Sequence, residues 1–126
     1  MAQLLAETGP VVNATMERLE SGPALVPTLW HFEVRNALLV AARRGRLETA
    51  EIRTRLRTLA EIRTTTDRDP DLDSALSLAH RRELSFYDAL YLELAQRRGA
   101  PLATLDQALL RAAHSENVPV VTALAG

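Results

Sequence analysis

A single α/β domain with a mostly parallel sheet is the fold class this sequence predicts, and three observations lead there. Short apolar or β-branched segments at 24–26 (ALV), 62–66 (IRTTT), 101–104 (PLAT) and 119–122 (PVVT) alternate with longer segments of helical period. The intervening stretches are long enough to carry the crossovers that parallel strands require. The chain has 126 residues, 47% of them hydrophobic, enough for one core, and no repeat, low-complexity tract or linker divides it. A three-layer sandwich with helices on both faces of the sheet is the architecture expected.

Each element has a local reason. Residues 11–20 (VVNATMERLE) read as a helix that stops at Ser21-Gly22-Pro23. The strand 24–26 is closed by Pro27, and a long helix over 29–44 is stopped by Gly45. Residues 48–60 form a further helix and 62–66 a strand. Asp69-Pro70 reads as N-cap and first helical position of a helix to Arg82. Ser85 caps the next helix, which runs to Arg98 and ends at Gly99. Residues 106–116 complete the helices, between the strands 101–104 and 119–122.

Composition closes several routes. Cysteine is absent, which removes disulfides and thiolate chemistry. All 15 basic residues are arginine, which removes a catalytic lysine. The net charge of −1 creates no global field for nucleic acid. No run is long enough to span a bilayer, and MAQLLAETGP lacks the basic-then-apolar pattern of a secretory signal, so a cytoplasmic protein is expected. His31, His80 and His114 are scattered without zinc spacing, and no glycine-rich phosphate loop occurs. The aspartates of TDRDPDLDSAL lack the glycine and closing acid of a calcium loop and read as a helix start.

Three acids stand where side chains should be buried or at element ends. At about 100° per residue, the helix from Leu29 centres its apolar arc on Trp30, Val34, Ala37 and Ala41, with Glu33 inside its edge and Asn36 beside it. In the helix after Ser85, the face of Tyr87, Tyr91, Leu92, Leu94 and Ala95 contains Asp88. Glu93 points the other way, beside Arg97, and reads as a solvated acid. Asp106 follows the strand PLAT, at the strand end where ligands gather in open α/β sheets. Each acid also has a bland reading: Asp106 as an N-cap, Asp88 as a first-turn acid favoured by the helix dipole, Glu33 as a partly exposed or arginine-paired residue. A divalent cation is one compensator for such carboxylates, because hard cations prefer oxygen ligands.

The segments LVPTLWHFEVRNALLVAARRGRL (25–47), LSFYDALYLELAQRRGAPLATLDQAL (84–109) and RAAHSENVPV (111–120) resemble, in order and spacing, a PIN domain of the VapC toxin ribonuclease type. The resemblance implies an Mg²⁺- or Mn²⁺-dependent endoribonuclease, the toxin of a type II toxin–antitoxin pair. It implies an RNA substrate, a VapB-like antitoxin partner and a homodimer. Glu33 and Asn36 match the family's E-x-x-N block, Asp88 its YDA block, and Asp106 the acid of the T-x-D strand, with Thr104 as its neighbouring hydroxyl. Glu33, Asp88 and Asp106 would hold the metal, and Asn36 and Thr104 would orient ligands or water. The basic stretch around Arg43, Arg44, Arg46, Arg53 and Arg57 reads either as a solvated helix face or as a contact for RNA phosphates or an acidic antitoxin segment.

The beginning departs from that pattern. The family opens with a strand ending in an aspartate, a metal ligand, and no segment here matches it. The expectation is an N-terminally truncated PIN-like domain over 1–126, lacking the usual first central strand, with the true start upstream of Met1. The alternatives are a degenerate non-catalytic relative, which keeps the fold and binds antitoxin or RNA, and a segment from a partner chain filling the gap. A further alternative is a doubly wound domain whose acids only cap helices.

Overall fold

In the computed structural model, residues 24–61 and 64–121 are described. Strand β1 (Ala24–Pro27) leads directly into α1 (Thr28–Arg43), α2 (Thr49–Glu61) follows, and β2 (Thr64–Asp67) returns beside β1. Helices α3 (Leu72–Arg82), α4 (Phe86–Arg98) and α5 (Gln107–Ser115) complete the order. The helix over 11–20 and the missing first strand fall outside the described residues.

β1 and β2 pair in parallel, Ala24 opposite Thr64 and Pro27 opposite Asp67, with α1 and α2 as the crossover. Pro27 is both the last strand residue and the N-cap of α1, its φ of −74° serving both roles. Beyond α4, the strands expected at 101–104 and 119–122 shrink to one parallel bridge, Leu102 with Val120. It is closed by Leu102 N–H donating to the Pro119 carbonyl at 2.8 Å and Val121 N–H to the Leu102 carbonyl at 2.9 Å. The ladder stops there because the next residues turn: Asp106 N–H donates to Thr104 Oγ1 at 3.1 Å, and Asp106 caps α5. The parallel pairing is that of the α/β class.

The start of α3 is also corrected. It opens at Leu72 and not at Pro70, because Asp71 is the residue whose carboxylate accepts from Ser74 N–H, at 3.0 Å. Asp71 is anchored in turn through its own N–H, which donates to Glu93 of α4 at 3.3 Å. α3 ends on Glu83 in the left-handed region (φ 55°), and α4 ends on Gly99 (φ 61°), where a glycine carries no Cβ penalty.

Leu78 of α3, Ala89 and Leu92 of α4, Leu102, and Leu109 and Ala113 of α5 form the main core. Val34 and Leu38 of α1 form a second cluster with Ile52, Leu56 and Leu59 of α2. Trp30 packs against both clusters, so the start of α1 is tied to the core beneath α4. This junction sets Glu33 beside α4.

Candidate active site

Glu33 lies on α1, within two turns of its start, and is half-buried. Asp88 is the third residue of α4 and is also half-buried. Ser85 caps that helix by accepting from Asp88 N–H at 3.1 Å, so the backbone that carries the carboxylate is fixed. Asp106 is the N-cap of α5 and accepts from Leu109 N–H through Oδ1 at 2.9 Å. Thr104, 5% exposed, holds the Asp106 backbone through its hydroxyl. The N-terminal ends of α4 and α5 both carry partial positive charge, which favours anions there.

The three acids share one electrostatic environment. Burial pushes the Asp88 carboxyl above its ordinary value, the negative charges of Asp106 and then Glu33 add to the rise, and a hydrogen bond with Ser85 opposes it. Tyr91, one turn beyond Asp88, is 4% exposed and donates its hydroxyl to Oε1 of Glu33. Its pKa is raised by burial first, then by the bond to Glu33 and by the charges of Glu33 and Asp88. Among the described residues, no arginine or histidine pairs with Glu33, Asp88 or Asp106.

The fit to a metal ion is a matter of donors and spacing. The donors are carboxylate oxygens, the set a hard divalent cation takes, and their mutual repulsion is what such a cation relieves. Yet among the described residues no three acidic or histidine side chains group closely enough to hold one ion. Mg²⁺ needs no more than one or two protein carboxylates, with waters completing its octahedron. Of the two negative charges acting on Asp88, that of Asp106 is the larger.

Other expected residues fall elsewhere. Asn36 is exposed, one turn past Glu33 on α1. Arg43, Arg44, Arg46, Arg53 and Arg57 are all exposed. Arg43 lies about 15 Å along the α1 axis from Glu33, at 1.5 Å per residue. His31 is a satisfied histidine, its Nε2 sharing a hydrogen bond with the Thr66 hydroxyl at 2.8 Å.

Two readings of α4 are corrected. Glu93 is 3% exposed and not solvated. Arg97 donates to it at 2.6 Å and to both oxygens of Asp67, so the acid is buried with its own counter-charge. Tyr87, assigned to the apolar face, is 60% exposed. Tyr91, read only as core, contacts the acid cluster. Its position three residues after Asp88 on one helix face is the signal that could have found it.

The PIN domain profile matches residues 9–115. The chain belongs to the PIN domain family. Among curated relatives, this PIN chain is 38% identical over 79 residues to Exonuclease VapC9 of Pyrobaculum aerophilum, covering 63% of the chain and 59% of that relative. It is 35% identical over 114 residues to Ribonuclease VapC3 of Mycobacterium tuberculosis, covering 89% of the chain and 81% of the relative. The crystal structure of PAE2754 from Pyrobaculum aerophilum superposes with a TM-score of 0.65 at 33% identity, over 79% of this chain and 67% of that one. The PIN fold and the VapC-type resemblance are thus both established. Among the described residues no helix is long and apolar enough to cross a membrane.

Proposed function

We propose that this PIN chain is a Mg²⁺- or Mn²⁺-dependent endoribonuclease, the toxin of a type II toxin–antitoxin pair, acting in the cytoplasm. One observation carries the reading: burial first, and then the charges of Asp106 and Glu33, push the Asp88 carboxyl up, and no described basic side chain pairs with any of the three. Acids that served only as caps would have no reason to be gathered. The VapC relatives, named as a ribonuclease and an exonuclease, support nuclease chemistry.

In this reading Asp88 and Asp106 hold the ion, and Glu33 reaches it through one of its waters. When bound, a divalent cation lowers the pKa of a bound water and neutralises charge on the phosphoryl group. Ser85 and Thr104 keep the two aspartates' backbones fixed, so the carboxylates need not reorganise. Asn36, one turn from Glu33, would orient a water in this reading. The exposed arginines from Arg43 to Arg57 supply phosphate contacts for RNA or pair with an acidic segment of a VapB-like antitoxin. A homodimer is part of the same proposal.

The test is cleavage of a structured RNA by the purified chain with Mg²⁺ or Mn²⁺, with and without excess EDTA. Cleavage that stops with EDTA and in Asp88→Asn is expected. Cleavage indifferent to both would refute the reading. The spacing of the acids, too wide for three to share one ion, favours a second reading: a catalytically impaired PIN module that retains antitoxin or RNA binding. That reading expects no cleavage at any metal concentration, with antitoxin binding intact.

A further inference from the structure

We propose that Phe32 and Tyr87 recognise the substrate by stacking: their exposed rings, one from each of the helices that carry Glu33 and Asp88, take unpaired bases of an RNA strand. The choice of RNA rests on the nuclease reading above, while stacking itself asks for no cation. The chain's aromatic residues are one Trp, two Tyr and two Phe, and every one lies within three residues of Glu33 or Asp88. Trp30 packs against both core clusters and Tyr91 is buried, so those rings are used by the fold. Phe32 is 66% exposed and Tyr87 60%, and each immediately precedes its acid in the chain.

The hydroxyl of Tyr91 on Glu33 brings α4 against α1 at this point. Tyr87 lies one turn before Tyr91 on the same side of α4. Phe86 meets the Tyr87 ring edge to face, centroids 6.4 Å apart at 71°, which steadies that ring while most of it stays open. Around Phe32 the charge suits a phosphate backbone. Glu33 is the only acid of α1, and Arg35 and Arg43 are exposed on it. Arg35 donates through Nη1 to the His31 carbonyl at 2.8 Å, which holds the guanidinium in the turn that carries Phe32.

Single exposed apolar side chains are ordinary, and Leu72 and Leu76 on α3 are examples. Scatter of that kind does not account for aromatic rings confined to the neighbourhood of two acids. A protein segment would be met by aliphatic side chains as readily as by rings, whereas a base offers a flat π face that a ring matches. Inside a duplex both faces of a base are taken, so the rings select a strand whose bases are free.

Binding of an end-labelled fluorescent single-stranded RNA to the full chain is followed by anisotropy in EDTA, so that metal-dependent cleavage plays no part. A hairpin of the same base composition is the duplex arm. The native chain is expected to hold the single strand more tightly than the hairpin. Phe32→Ala and Tyr87→Ala should each weaken the single strand roughly 5-fold or more, the lower range for a base stacked on a ring. Leucine at either place should weaken it as alanine does, while Tyr87→Phe and Phe32→Tyr, which keep a ring, should restore it. Leu76→Ala, at a side chain exposed to a similar degree on α3, should match the native protein. Melting temperatures should be unchanged throughout, because both rings are exposed. Equal binding by native, Phe32→Ala and Tyr87→Ala proteins overturns the proposal, as does a leucine that serves as well as a ring. Hairpin binding as tight as that of the single strand, or a native chain that binds neither RNA, overturns it too. A ring variant that sediments as a smaller assembly assigns the rings to a contact between protein copies and likewise overturns it. Loss of RNA by the ring variants of a chain that cleaves nothing with Mn²⁺ sustains the stacking and refutes only the metal-dependent reading.

Discussion

Glu93 and Asp88 stand on the same helix, little more than a turn apart, and have opposite fates. Glu93 is the more buried, yet it is answered: Arg97 reaches it at 2.6 Å and also bonds Asp67 at 2.6 Å. Glu116 is answered likewise, by Arg81 at 2.9 Å and Arg82 at 2.6 Å. Asp88 is less buried, and the described side-chain charges that act on it are of its own sign. Burial alone therefore does not mark a functional acid. What separates the two groups is whether the protein supplies the opposite charge. Where it does, the acids fasten α3, α4 and β2 together. Where it does not, a cation from solution is the natural counterpart.

Substitutions on each side of this contrast break it in different ways. The largest expected effect is on the paired side. Arg97→Met leaves Glu93 without a counter-charge and Asp67 with only Arg98 at 3.8 Å, both acids being under 10% exposed. A loss of about 3 kcal/mol in urea unfolding is expected, the lower range for breaking a buried pair. A loss near zero would mean that the network is screened and the contrast unfounded. On the unpaired side, Asp88→Asn removes repulsion, so stability should hold or rise while RNA cleavage drops about 100-fold, as for loss of a metal-site group. A parallel fall in stability and activity would mark Asp88 as structural.

Asp106 sharpens the distinction, because it does two jobs. Asparagine caps helices about as well as aspartate, so Asp106→Asn should keep stability within a few tenths of a kcal/mol while weakening Mn²⁺ binding. Asp106→Ala should lose the cation and about 1 kcal/mol besides. Equal behaviour of the two variants would leave capping as the whole role of this residue.

Acid titration gives the smallest effect, with opposite signs on the two sides. Glu116 is pulled down to about 2 from an ordinary 4.5, by the Arg81 hydrogen bond first and by Arg82 and Gln96, against the cost of burial. The unfolded chain therefore binds this proton more readily, and stability present above about pH 4.5 is lost as pH falls toward about 2. Glu116→Gln should flatten that part of the pH profile. Asp88, raised above 3.8, works the other way: the folded state binds its proton more tightly, so stability gains as pH falls through its folded value toward 3.8. In Asp88→Asn that opposing contribution disappears, and acid unfolding should steepen.

The local signals were legible where the chemistry is local. Ser85 as N-cap, Gly99 as helix end and Asp106 at a helix start all follow from neighbours within four residues. Asp88 stood out as an acid inside an otherwise apolar helix face. The same reasoning misread Glu93. A helical wheel shows Arg97 beside it, but not Asp67 on β2 or the Asp71 N–H at the start of α3, 22 residues distant. Those contacts draw the pair inward, and they also place the start of α3 two residues later than Asp69-Pro70 suggested. Tyr91 escaped for the same reason, since its partner Glu33 is reached only through the packing of Trp30 between α1 and the core. The segments 101–104 and 119–122 were expected as strands of a parallel sheet, and their composition overstated the ladder, which is one parallel bridge, Leu102 with Val120.

The central claim is that the unanswered carboxylates take a divalent cation, and a Mn²⁺ titration followed by electron paramagnetic resonance tests it most directly. The account predicts saturable loss of the free-ion signal with the native chain. It predicts a clear weakening in Asp88→Asn and in Asp106→Asn, and no change in Glu116→Gln, whose acid is answered by arginine. Native, Asp88→Asn and Asp106→Asn proteins that leave the Mn²⁺ signal equally untouched would contradict it.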